Sequence, residues 1–355
     1  MRSFIVSAIG SLCLILSLIN HSSACTCFCL DTPEGPVFGS NLDLLFPADG
    51  LVFINHRGIE KEGFEASPTG ETAKWVSKYG SVTFNLAGRE WAFGGMNEAG
   101  LVLGSMELLK AEFPEPDHRP GLPIGVWAQY VLDTCGSVEE AIEVDSRVRI
   151  EDAAPPIHYL IADASGNCVA IEWLDGEFVC YSGEDLPVKA MSNMRYASAL
   201  AAYEQGGPSW WWSNPGQSAE RFATAHERNE SYDASRDPNA VNYAFGTLIH
   251  GVVAPHTKWS IVYDIGKREI WYGTVVSQPV KHISFENVDF SCDAPLKMLD
   301  VNAPLEGDVE ESFIPYDSET NLKVLHTLCE RYGMGISEDV ASGVVRHIDS
   351  FECAE

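Results

Sequence analysis

The chain has 355 residues, 45% of them hydrophobic, and a formal net charge of -28 at pH 7. That length suffices for one large domain or two small ones with a sizeable core, and no low-complexity tract or internal repeat marks a solenoid. The acidic balance argues against nucleic acid and anionic membrane surfaces as partners, because both are engaged through basic patches that displace counterions; otherwise it reads as solubility.

Arg2 and the apolar run from Phe4 to Ile19, ended by Asn20, His21 and Ser22, predict a secretory signal peptide over residues 1–24. The run falls short of the ~20 apolar residues of a comfortable membrane span. Ser22 and Ala24 occupy the small-residue positions read by signal peptidase, so cleavage exposes Cys25 as the first residue of a secreted or periplasmic protein, off the membrane. An N-terminal cysteine carries a thiol and a free α-amine whose reference pKa is roughly 7.7 to 8.0. Nucleophile and general base then arrive on one residue. The competing reading is a lipid-anchored envelope binding protein with Cys25 as the lipidation site, although Ser22 stands where an aliphatic residue is usual.

Cleavage leaves nine cysteines, at 25, 27, 29, 135, 168, 180, 292, 329 and 353, an odd count that fits a free nucleophile plus up to four disulfides. Cys25, Cys27 and Cys29 alternate, so in a strand they share one face with neighbours nearly ~7 Å apart, too far for unstrained bridges between them. Their spacing is not that of a zinc ribbon. Cys27 and Cys29 read as small buried hydrophobes.

Strands are predicted at Val37 to Leu45, Gly50 to His56, Ser81 to Leu86, Trp91 to Gly94 and Gly100 to Met106, separated by Gly, Asp and Asn turn signals. Helix follows from about Pro123 to Val144. Ser137-Val138-Glu139-Glu140 has the pattern of a capping box, so two helices meet near Gly136. Ile157 to Ala162, Cys168 to Trp173 and Glu177 to Tyr181 form a meander, and a helical block is centred on Ala219 to Glu227. Strands return at Ser260 to Asp264, Glu269 to Thr274 and Val280 to Ser284. Strands, helices, then strands and helices again predict an α+β layered architecture. From about Val301 the chain is acidic and Pro-bearing, and Asn321 to Tyr332 and Ser337 to Ile348 show helical spacing. Its expected role is packing on the main domain or a homo-oligomer contact.

Taken in order, these segments resemble the choloylglycine hydrolase family of N-terminal nucleophile hydrolases, which includes penicillin V acylases and conjugated bile salt hydrolases. The resemblance is carried by Cys25-Thr26, by Phe38-Gly39-Ser40-Asn41-Leu42-Asp43, by Gly95-Met96-Asn97-Glu98-Ala99-Gly100-Leu101, by Met191-Ser192-Asn193, and by Ser218-Ala219-Glu220-Arg221-Phe222. It implies an αββα sandwich over residues 25–300, with residues 301–355 as an acidic loop and helical C-terminal extension. It implies Cys25 as nucleophile and its own base, Asp43 as the carboxylate orienting the α-amine, and Asn193 as a side-chain donor to the oxyanion. Arg221 completes the charged cluster, and position Glu107 supplies a second, backbone donor. Asn97 and Gly100 read as turn structure. One departure stands out: the family usually has arginine at the position of Ser40, beside the nucleophile, and without that cation the thiol is expected to be less acidic unless Arg221 or Arg195 compensates.

The expected activity is hydrolysis of linear amides through a Cys25 thioester, with no metal or organic cofactor. The expected partner is a small N-acyl amide of the penicillin V, acyl homoserine lactone, bile salt or N-acyl amino acid type. Trp210-Trp211-Trp212 reads either as an aromatic lip for an acyl group or as packing under a loop or in a dimer contact.

Overall fold

The computed structural model describes residues 25–64, 71–151, 156–206 and 218–355. The proposed signal peptide and the three adjacent tryptophans lie outside the described residues. Two large sheets face each other. The first has seven strands in the order Ala190–Ser192, Thr26–Leu30, Val37–Asp43, Thr257–Asp264, Glu269–Thr274, Lys281–Ser284 and Gly307–Asp308. The second has nine, in the order Glu177–Ser182, Cys168–Leu174, Ile157–Ala162, Val102–Glu107, Ala92–Asn97, Ser81–Asn85, Leu51–Asn55, Lys297–Asp300 and Ile314–Pro315. Neighbouring strands are antiparallel except the pair Lys281–Ser284 and Gly307–Asp308.

Alternation sends each strand's side chains to two different layers. From Thr26–Leu30, Cys27 points between the sheets, where a Cβ added to Gly104 of the opposite sheet would lie 2.5 Å from its sulfur. Phe38, Tyr263, Phe84 and Tyr272 fill the same space with edge-on ring contacts. Phe28 points the other way and covers Gly39, where a Cβ would come within 2.4 Å of its ring, so glycine is required at that point of the second strand.

The nine-stranded sheet is covered on its outer face by the helix Ile124–Thr134, through Trp127, which packs at 4.8 Å on Tyr159 and edge-on at 5.2 Å on Trp173. The seven-stranded sheet is covered by Tyr196–Glu204, Ser218–Glu230 and Ala240–Gly246. Helix, sheet, sheet, helix is the four-layer αββα sandwich expected from the sequence. The break near Gly136 is present: Ser137 Oγ caps the helix Val138–Ile142 by accepting from the Glu140 amide, and Glu140 reaches back to the Gly136 amide. Asn97 is structural, bonding the carbonyls of Leu132 and Cys135 and accepting from the Leu101 amide, while Gly100 takes the left-handed conformation of that turn at φ 84°.

The C-terminal region carries helices Ser318–Arg331 and Glu338–Asp349, which share a small core of Leu325, Cys329, Ala341 and Val345. Beyond these helices Glu352–Cys353 pairs with Ile59–Glu62 in a third sheet, and Cys353 is disulfide-bonded to Cys292. Among the described residues this is the only disulfide, and Cys25, Cys27, Cys29, Cys135, Cys168, Cys180 and Cys329 are free thiols. The third sheet and the helices Tyr196–Glu204 and Ala240–Gly246 had no clear periodicity signal; they are short and only partly apolar.

Candidate active site

Cys25 sits at the start of the strand Thr26–Leu30 and is buried. On one side lies the strand Val37–Asp43, in the register Thr26↔Asn41, and on the other Ala190–Ser192, in the register Thr26↔Ser192. This pairing brings Asp43 and Asn193, distant in sequence, to the same end of the sheet as Cys25. The Cys25 thiol lies 3.9 Å from the Asp43 carbonyl oxygen.

Arg221 ties these residues together. It stands in the first turn of Ser218–Glu230, 1% exposed, with its guanidinium entering the sheet end. Nη1 donates to the Cys25 carbonyl at 2.7 Å and to Thr26 Oγ1 at 2.6 Å, and lies 3.9 Å from Asp43 Oδ2. Nη2 donates to Asn193 Oδ1 at 3.2 Å and to Ser218 Oγ at 3.1 Å. The helix start is itself pinned, since Ser192 Oγ donates to the Ser218 carbonyl. A planar fork with several donors suits this convergence; a lysine would not reach all four oxygens.

Asn193 is held from both ends. Its oxygen faces the Arg221 donor and its Nδ2 donates to the Glu107 carbonyl at 2.8 Å, so its amide orientation is dictated by its partners. Glu107, the last residue of Val102–Glu107 on the other sheet, is thereby brought to the site, half-buried. All five residues singled out in the sequence, Cys25, Asp43, Glu107, Asn193 and Arg221, meet in one place. Thr26, Ser218 and Thr257 join them without having been singled out as site residues, although the first two belong to the motifs already quoted.

The electrostatics follow from burial. Desolvation, the largest cause, and the Asp43 carboxylate push the Cys25 thiol up, against weaker pulls from its hydrogen bond to the Asp43 backbone and from Arg221. Desolvation raises the Asp43 carboxyl to about 6, opposed by a hydrogen bond from Thr257 and by the charges of Arg221 and Lys258. Arg221 is lowered by its own burial and supported by Asp43 and Cys25.

Ser40, at the position where the family usually has arginine, lies on the strand next to the one that follows Cys25. It is registered opposite Cys27, and its hydroxyl accepts from the Cys27 thiol at 3.3 Å, so the thiol it acts on is that of Cys27. The cation nearest Cys25 comes from helix Ser218–Glu230 as Arg221, whereas Arg195 turns to the Lys110 carbonyl.

The profile of the linear amide C–N hydrolases, choloylglycine hydrolase family, matches residues 25–205. The chain belongs to that family. It is 24% identical over 316 residues to a penicillin V acylase from Pectobacterium atrosepticum, covering 76% of this chain and 83% of that protein. The solved structure of a penicillin V acylase from Agrobacterium tumefaciens superimposes with a TM-score of 0.67 at 26% identity, over 82% of this chain and 98% of the other. A conjugated bile acid hydrolase from Clostridium perfringens shares the fold at 16% identity, with a TM-score of 0.61 over 78% of this chain and 96% of the other. The family member described here is a hydrolase acting on linear amides.

Proposed function

We propose that this protein is exported, begins at Cys25 after loss of residues 1–24, and cleaves N-acyl amides with an apolar acyl half through a Cys25 thioester. The observation that carries this reading is the Arg221 fork, which joins the Cys25 carbonyl to the Asn193 amide in a buried site. In the 355-residue chain Ala24 precedes Cys25 and its nitrogen is a peptide amide; cleavage turns it into the amine that takes the thiol proton. The thiol sulfur then attacks the acyl carbon. Negative charge gathers on the carbonyl oxygen, where Asn193 Nδ2 and the backbone amide at Glu107 are the assigned donors. Collapse expels the amine half, which takes the proton from the α-amine, and water attacks the thioester to release the acid and regenerate the thiol.

Asp43 orients the α-amine, and Arg221 holds the chain start and Asn193 in register. The thiol raised by burial supports this division of labour, since a neutral thiol needs an adjacent base. The Cys292–Cys353 disulfide supports export to an oxidising compartment. Residues 25–300 carry the catalytic domain and 301–355 a C-terminal region whose strands Gly307–Asp308 and Ile314–Pro315 add to the edges of its two sheets, and the partner is a small molecule.

Intact mass and N-terminal sequencing of the secreted protein, followed by Cys25→Ser on a panel of N-acyl amides, test the proposal. An N-terminus at Cys25 and loss of activity by orders of magnitude in a folded variant are expected. Diacyl mass on Cys25, or full activity in Cys25→Ser, would remove it.

A further inference from the structure

Tyr332 follows the helix Ser318–Arg331, far beyond the residues matched by the family profile, yet it is buried against the segment that leaves Asp43. Its ring meets Phe46 edge-on with centroids 4.9 Å apart, and Phe46 is only three residues past Asp43. Its neighbour Arg331 donates to the Pro47 carbonyl at 2.6 Å and pairs with Asp49 at 2.5 Å. The segment leaving Asp43 is therefore gripped by the tail at three points, Phe46, Pro47 and Asp49. The phenol is within electrostatic reach of the Glu107 carboxylate and the Cys25 thiol, both of which, after burial, oppose its ionisation. Leu45 and Leu109, each two residues beyond a site residue, are among the exposed large apolar side chains.

The tail that delivers Tyr332 is anchored along its length. The Arg89 amide donates to Asn321 Oδ1 at 2.8 Å, and its guanidinium donates to the Ile348 carbonyl at 3.2 Å. The loop that bears Arg89 is fixed in turn by the buried pair Lys61–Glu90 at 2.9 Å. Beyond the second helix, the Cys292–Cys353 disulfide closes the end. A side chain carried on so constrained an element can select substrates by shape.

We propose that the C-terminal extension forms one wall of the substrate site and that Tyr332 is the residue through which it selects the acyl group. The inference rests on Cys25 being the nucleophile. Packed on Phe46, with the exposed Leu45 and Leu109 close in sequence to Asp43 and Glu107, Tyr332 supplies an aromatic ring suited to an uncharged alkyl or aryl acyl group. The Glu107 carboxylate disfavours acyl groups that carry a carboxylate.

The mature enzyme is assayed on p-nitroanilides of acetyl, butyryl, hexanoyl, decanoyl and phenylacetyl groups, as wild type, Tyr332→Phe and Tyr332→Ala. In parallel, alkylation of Cys25 by iodoacetamide is followed by peptide mass. Tyr332→Ala is expected to raise KM about tenfold for the longer and aryl groups while changing acetyl and kcat far less, as one lost apolar wall requires. Tyr332→Phe keeps the wild-type preference, and Cys25 alkylates several-fold faster in Tyr332→Ala. An unchanged acyl profile and alkylation rate in the folded variants overturn the proposal. If Tyr332→Ala does not fold, Tyr332→Leu is read the same way, a flattened preference supporting the wall and an unchanged one refuting it. If the wild type cleaves none of the anilides, the proposed function fails on that panel, and the alkylation rates alone decide whether Tyr332 walls off Cys25.

Discussion

The Arg221 guanidinium binds the Cys25 carbonyl at 2.7 Å and Asn193 Oδ1 at 3.2 Å, so one side chain sets the distance between Cys25 and the Asn193 amide. Arg221→Gln is expected to lower kcat/KM by at least about 100-fold and to cost roughly 3 to 5 kcal/mol of stability, because Asp43 is left buried without its cation. Arg221→Lys should retain more stability than activity, since charge survives and the fork does not. Steady-state kinetics beside a denaturant melt separate the two; wild-type activity in Arg221→Gln would show that the cluster is only structural.

Asn193→Ala is expected to lower kcat by about 10²- to 10³-fold with a smaller effect on KM, the signature of a donor used as charge develops. Asn193→Asp should be at least as damaging despite its matching shape, because it turns an acceptor toward the Glu107 carbonyl. A change confined to KM would move Asn193 from the oxyanion to ground-state binding.

The pH dependence turns on Asp43, whose carboxyl burial raises to about 6. In the proposed mechanism activity needs the carboxylate, so kcat/KM should fall as pH drops through this region. On the proposed maturation, the α-ammonium of Cys25 adds a cation nearby and moves the limb lower. Stability runs the opposite way. A folded-state pKa above the ordinary ~3.9 means the proton is held more tightly in the folded protein, a contribution of roughly 3 kcal/mol that is full below ~3.9 and lost as pH rises through the folded-state value. Asp43→Asn should abolish most activity and flatten that part of the stability profile, as followed by melts between pH 3.5 and about 7; an unaltered slope would assign it to other groups.

Cys292 and Cys353 close a loop across 61 residues. Cys353→Ser, or reduction, is expected to cost about 4 kcal/mol by loop-closure entropy and to lower Tm measurably. Differential scanning calorimetry with and without reductant checks this, and an unchanged Tm would mean that the two helices and Arg89 hold the tail without the covalent link.

Much of the sandwich was readable from local patterns because antiparallel strands with one buried face alternate visibly. Glu269–Thr274 begins and ends where its alternation does, whereas Ile157–Ala162 is a short run buried on both faces that ends at the Asp163 turn. Of the five site residues, those other than Cys25 were nameable through the family resemblance alone, and the fold shows structural demands on the motifs that carry it: Gly39 must leave room for Phe28, and Arg221 stands in the first turn of its helix, three residues past Ser218. Register and packing were not readable. Which hydroxyl faces which thiol, Ser40 with Cys27, depends on strand pairing across a turn, and which cation reaches Cys25 depends on a helix 196 residues away. Tyr332 carried no signal at all, since its spacing marks only a helix end. Its place on the segment that leaves Asp43 arises from its ring contact with Phe46 and from the bond of Arg331 to the Pro47 carbonyl, made by a tail whose position is set by the Arg89 loop and the disulfide. Local periodicity records which face of an element is buried; it holds no information about what another element, hundreds of residues away, brings to that face.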